Sequence, residues 1–246
     1  MQHSVPVSVP TAIQPFRDRK LIEGVIARLP AFGQLSREEL DMLAGHSQLH
    51  GFRRGATIAK RGAPFPGVIA LAYGSAKLSL RRANGEEKVV RLLGPGEIFG
   101  LAAATVDKPC PVDLVALQNC LVVTIPPGPV LRLMEQDIGF ARAVARAMAE
   151  RMLELVAELE ASLQQSSLQR LACFLDSLAE PNGEPGAWLV RLPATKTTVA
   201  ARLGIKKETL SRMLRELATR GLITVSGPEI AILDRQGLAL LSANSP

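Results

Sequence analysis

The run Lys206-Lys207-Glu208-Thr209-Leu210-Ser211-Arg212 carries donors and acceptors suited to the edges of DNA bases. An arginine can bond guanine O6 and N7 together, a glutamate can accept from the cytosine amino group, and a serine can do either. At spacings of three and four, Glu208, Ser211 and Arg212 would share one face of a helix. Lys196, Thr197, Arg202, Lys206, Lys207 and Arg215 lie around them in sequence. Side chains of these types hold phosphates, which sets position on a duplex without reading its sequence.

The charge distribution agrees. The chain has 246 residues and a net charge of +6. Residues 191–221 hold eight Lys/Arg against two acids, so the remaining 21 basic and 21 acidic side chains cancel. An excess confined to 31 residues points to a polyanionic partner, although a solvated helical face can look the same from charge alone.

Spacing separates the two. Thr197–Leu203 and Lys207–Arg220 read as helical segments joined by Gly204-Ile205-Lys206. Ala200, four residues before Gly204, is small enough for two helices to cross closely. Val199, Leu203, Ile205, Leu210 and Met213 supply the apolar positions that lock them together. This is helix-turn-helix spacing. Ile223–Ser226, Gly227-Pro228 and Glu229–Leu233 follow as a hairpin, which makes the module winged.

Upstream, short β-rich runs (Val68–Tyr73, Lys77–Arg81, Lys88–Leu93, Leu114–Leu117, Leu121–Ile125) alternate with glycines between Phe52 and Pro127. Asn84-Gly85 is a hairpin turn signal. Many short strands at this spacing predict a small barrel or jelly roll. Residues 18–46 read as helical, with Ser36 and Glu39 as a capping box. Ala141, Val144, Met148, Met152, Leu155 and Leu159 recur three or four apart in a long helix over 137–163. So narrow a stripe predicts a partner chain, with Val144, Met148, Met152, Leu155 and Leu159 at the homodimer interface, although a helix packed on its own barrel would show a stripe too. The expected organisation is α+β: a flexible tail (1–17), a β-roll, jelly-roll-like sensor domain (18–134), a dimerisation helix (135–163) and a C-terminal winged helix-turn-helix (164–246).

Several classes fall away. Residues 52–127 contain no histidine, and no P-loop, dinucleotide fingerprint or nucleophile elbow occurs, so an enzyme is not expected. No apolar run reaches the roughly 18 residues a membrane span needs. The first ten residues, broken by proline, do not read as a signal peptide. Cys110, Cys120 and Cys173 are too few and scattered for a disulfide scaffold. The expected compartment is the cytoplasm.

The layout resembles the cyclic-AMP receptor protein/fumarate-nitrate reduction regulator (CRP/FNR) family over about residues 20–235. The resemblance rests on FRRGATIAKRGAPFPGVIALAYGSAKL, on NGEEKVVRLLGPGEIFG, on the long helix and on the winged module. Glu208-Thr209-Leu210-Ser211-Arg212 is similar to the E-T-x-S-R signature of the fumarate-nitrate branch. That implies reading of TTGAT-like inverted repeats by Glu208, Ser211 and Arg212, with RNA polymerase as a further partner. KKETLSRMLRELATRGLI with EIAILDRQGL is most similar to the dissimilatory nitrate respiration regulators.

The resemblance also frames the effector. The cyclic-AMP type has a glutamate after its FG pair and an Arg-Ser pair in the next strand. Here those positions are Leu101, Pro111 and Val112, so the phosphate lacks a counter-ion and cyclic AMP is not expected. Residues 1–50 contain no cysteine, which excludes the N-terminal iron–sulfur type. What remains is an apolar pocket assigned to Leu101, Cys110, Pro111, Val112, Leu114, Val144 and Met148. The nitrate-respiration branch implies haem there, sensing nitric oxide or carbon monoxide, with Cys110 or His3 as axial ligand. A small organic effector, a thiol redox signal through Cys110, or no ligand at all stay open at this stage.

Overall fold

The computed structural model describes residues 12–16, 18–81, 85–164, 166–183 and 186–243. The chain forms two compact units, one from Met1–Leu80 and Val90–Leu153, the other from Arg81–Val89 and Glu154–Pro246.

In chain order the elements begin with β1 (Ala12–Phe16), α1 (Arg19–Ile26), α2 (Arg37–His46), β2 (Gln48–Phe52), β3 (Thr57–Ala59), β4 (Val68–Tyr73) and β5 (Ala76–Arg81). There follow β6 (Glu87–Leu93), β7 (Ile98–Phe99), α3 (Leu101–Thr105), β8 (Asp113–Ala116), β9 (Cys120–Ile125), α4 (Pro127–Gln136) and α5 (Ile138–Gln164). A five-stranded sheet runs β1-β2-β9-β4-β7 and a four-stranded sheet β3-β8-β5-β6, the two-sheet roll that the strand spacing predicts.

Strand periodicity builds two cores at once. Successive side chains of β4 point to opposite faces. Val68 and Ala70 join a cluster with Ile22, Phe32, Leu43, Leu133 and Phe140, which seats the helices on the sheet. Ile69 and Leu71 join Phe52, Leu78, Leu114 and Val122 inside the roll.

Two sequence expectations need correction. The segment expected as a flexible tail (1–17) includes a strand, because Ala12–Phe16 pairs antiparallel with β2, its register slipping between Ile13 and Phe16. The open edge of β2 offers backbone partners regardless of side chain, and Pro15 falls within the irregular stretch, where a missing N–H is tolerated. The helical reading of 18–46 also divides. Pro30 cannot continue a helix, and the chain turns between α1 and α2 while burying Leu29 and Phe32. The predicted cap holds: Ser36 Oγ accepts from Glu39 N, and Glu39 Oε2 accepts from Ser36 N. Asn84 of the expected hairpin turn and His3 lie outside the described residues.

The second unit continues with α6 (Ser167–Ser177), β10 (Glu180–Pro181), β11 (Trp188–Arg191), α7 (Lys196–Leu203), α8 (Lys207–Thr219), β12 (Ile223–Ser226), β13 (Glu229–Ile232) and α9 (Arg235–Ala243). Its core gathers Leu171 and Leu175 from α6, Val199, Ala200 and Leu203 from α7, and Leu210, Met213, Leu214 and Leu217 from α8. Ile223, Ile230 and Ile232 from the wing strands complete it. The wing is broader than its sequence suggests, a four-stranded sheet in the order β10-β11-β13-β12.

Candidate nucleic-acid interface

The turn between α7 and α8 depends on Gly204, whose φ of +71° places it in the left-handed region. There a glycine ends a helix without the steric cost a Cβ would add. Ala200 is only 2% exposed where the two helices meet. Val199, Leu203, Leu210 and Met213 are buried and Ile205 partly so, as the helix-turn-helix spacing requires.

Burial of one side of α8 decides what the other presents. With Leu210, Met213, Leu214 and Leu217 inward, Lys207, Glu208, Arg212 and Arg215 are exposed and Ser211 is half-buried. Glu208, Ser211 and Arg212 therefore do share an outward face. Lys206 and Thr197 are exposed and Lys196 is half-buried. Among the described residues, no ion pair neutralises Lys206, Lys207, Glu208, Arg212 or Arg215.

Arg202 departs from this group. Its guanidinium bonds Glu158 Oε1 at 2.8 Å, with only about a quarter of its side chain exposed. The phosphate role that its sequence position suggests therefore meets a guanidinium already engaged within the protein.

The start of α8 is unusual in another respect. Lys206 occupies the N-cap with φ −75° and ψ 151°, and no side chain caps the helix. By contrast, Thr195 Oγ1 accepts from Thr198 N at the start of α7. A serine cap is worth about 1 kcal/mol, and a cation beside the positive end of the helix dipole is unfavourable. Lys206→Ser should therefore raise the stability of the folded protein by about 1 kcal/mol in urea denaturation. It should also weaken binding to all duplexes alike and lower the salt slope by about one per half-site. An unchanged salt slope would remove Lys206 from the phosphate contacts.

The residues assigned to an effector pocket do not come together in the same way. Leu101 and Val144, with Met148 packed against them, belong to the core between sheet and helices. Cys110 and Leu114, with Val112 packed against them, belong to the core inside the roll, and Pro111 is exposed. Phe65 packs against both clusters. Its ring lies over Gly100, where a Cβ would come within 1.9 Å of it, and meets Phe99 edge-on. A cleft of about 400 Å³ opens elsewhere, between the Pro30–Gln34 turn and the first half of α5, where Arg142 and Arg146 line it. No sequence signal marked that cleft, because its walls are contributed by residues more than a hundred positions apart.

Haem does not fit the described ligand candidates. Cys110 is 2% exposed and its Sγ donates to Val112 O at 3.0 Å. Burial pushes its thiol pKa up and nearby Asp113 adds to this, with the hydrogen bond to Val112 as a partial offset. A metal-binding or redox-reactive cysteine needs the opposite environment. His46 is exposed with Nδ1 against Met42 O, while burial lowers the pKa of half-buried His50. Among the described residues no group of three or more His, Cys, Asp or Glu is placed to hold a metal ion, and no helix is long and apolar enough to cross a membrane.

Residues 49–137 match the cyclic nucleotide-binding domain family and residues 169–241 the Crp-like helix-turn-helix domain family, together about two thirds of the chain. The sequence is 28% identical over 192 residues to the transcriptional activator protein Anr of Pseudomonas aeruginosa, covering 77% of this chain and 78% of that protein. It is 26% identical over 198 residues to the transcriptional activator protein FnrA of Stutzerimonas stutzeri, covering 78% and 80%. The fold is shared with FixK2 from Bradyrhizobium japonicum, at a TM-score of 0.72 and 20% identity over 81% of this chain and 99% of that one. The similar proteins are transcription regulators rather than enzymes.

Proposed function

Because this chain belongs to the CRP/FNR family of DNA-binding transcription regulators, we propose that it reads TTGAT-like inverted repeats through Glu208, Ser211 and Arg212. The observation that carries this reading is the outward face of α8, where those three side chains stand beside Lys207 and Arg215 while the opposite face is buried. Regulators of this family are dimers. We place the contact on α5, so that two recognition helices meet half-sites one helical turn apart, ~34 Å. RNA polymerase is the partner through which such a complex acts on transcription.

Control of anaerobic metabolism is supported by the relatives, which include proteins named anaerobic regulatory protein. Of the effectors the sequence leaves open, thiol redox through Cys110 and haem held by Cys110 both require a reactive sulfur that this burial opposes, while haem held by His3 rests on a ligand outside the described residues. A small organic effector makes no such demand. Its binding would change the packing of α5, which runs unbroken for 27 residues.

The test is a titration of the purified protein against a TTGAT inverted-repeat duplex and a scrambled duplex at several salt concentrations. We expect binding to the repeat tighter by about 10³-fold or more, with both affinities falling steeply as salt rises. Equal affinity for the two duplexes would overturn the assigned sequence preference.

A further inference from the structure

We infer that Arg202 is a positioning residue for DNA recognition, acting through an ion pair with Glu158 rather than by holding a phosphate. The inference rests on the reading of α8 as the base-contacting helix. Arg202 is the second-last residue of α7, immediately before the turn that fixes where α8 begins. Its Nη2 lies 2.8 Å from Glu158 Oε1, and the side chains are 25% and 33% exposed, so water and salt screen this pair less than a fully exposed one.

The surrounding backbone is held as well. The last carbonyls of any helix lack partners within it. Here the Arg202 carbonyl accepts from Lys88 Nζ at 2.9 Å, and the Leu203 carbonyl lies 3.5 Å from Arg170 Nη2. The apolar packing of Val199, Ala200 and Leu203 fixes one side of an eight-residue helix. Glu158, from the last turns of α5, pins a flank which that packing leaves open. A tilt of α7 would carry Glu208, Ser211 and Arg212 with it, so narrowing its freedom reduces the ordering cost when DNA binds.

The full-length protein carrying Glu158→Gln, Arg202→Met or both is titrated against the repeat and scrambled duplexes across salt. Each single change should lower affinity for the repeat about three- to five-fold, the size expected of a partly buried pair. The double variant should fall no further than either single one, and the salt slope should stay at its wild-type value. The charge exchange Glu158→Arg with Arg202→Glu should recover part of the loss. Additive losses, or a slope lowered by about one per half-site in Arg202→Met with Glu158→Gln unaffected, would overturn the inference and return Arg202 to the phosphate contacts. Discrimination of the two duplexes by wild-type protein reports on the base-reading role of α8, whereas the double-mutant cycle reports on the ion pair alone.

Discussion

Replacing Arg212 with alanine should weaken binding to the inverted-repeat duplex by about 1–3 kcal/mol per half-site, roughly five- to 150-fold for each, and relax selectivity at one base pair in each. Affinity for a scrambled duplex should change far less. The expectation follows from where the side chain stands. Arg212 is exposed on α8 and, among the described residues, has no ion-pair partner, so its removal leaves no buried group orphaned and the fold intact. Its planar fork of donors matches two acceptors on one guanine, and that match is lost as a unit. Arg215→Ala is the internal comparison. One turn further along the same face, it should weaken both duplexes together and lower the salt slope by about one per half-site. Equal losses on both duplexes for Arg212→Ala would show that it, too, only positions the protein.

The DNA-binding module was largely legible because its geometry is local. A turn glycine, a small residue four positions earlier and five apolar positions determine how α7 meets α8, and each of those residues sits where its spacing predicts. Base-reading candidates then follow from which face is left over. The ion pair of Arg202 was not legible, for the complementary reason. Its partner Glu158 lies 44 positions away on α5, and nothing in the local sequence of α7 distinguishes a cation meant for a phosphate from one meant for a carboxylate. The grouping of the effector-pocket residues was not legible on the same ground. Leu101 and Cys110 are near in sequence, yet α3 and the following turn send them into different cores, with Phe65 packed against both. Residue types marked the pocket as apolar, but only tertiary packing decides whether apolar residues enclose a space or fill it.

The long helix shows how one periodic stripe can serve two purposes, and this leads to the second large effect. Val144 is fully buried within its own chain and Met148 packs against the same core, so neither is a free interface position as the stripe suggests. Further along, Met152, Leu153, Val156 and Leu159 are 58–65% exposed and Leu155 is 44% exposed. Five large apolar side chains within eight residues of exposed helix are costly in water and fit a second copy of the helix. Leu155→Lys combined with Leu159→Lys should therefore convert the dimer to a monomer in sedimentation velocity. Each buried leucine is worth about 1.5–3 kcal/mol and a two-fold interface counts each change twice, so the dimer constant should weaken by well over a thousandfold. Binding to the repeat should fall by about a hundredfold or more, because each monomer then engages a half-site alone. Helical content should hold, since neither leucine belongs to a core cluster. Val144→Ala should do the reverse, lowering thermal stability by about 1–3 kcal/mol while the protein stays dimeric. If the double lysine variant sediments as a dimer, the pairing surface lies elsewhere on the chain and the exposed stripe needs another partner.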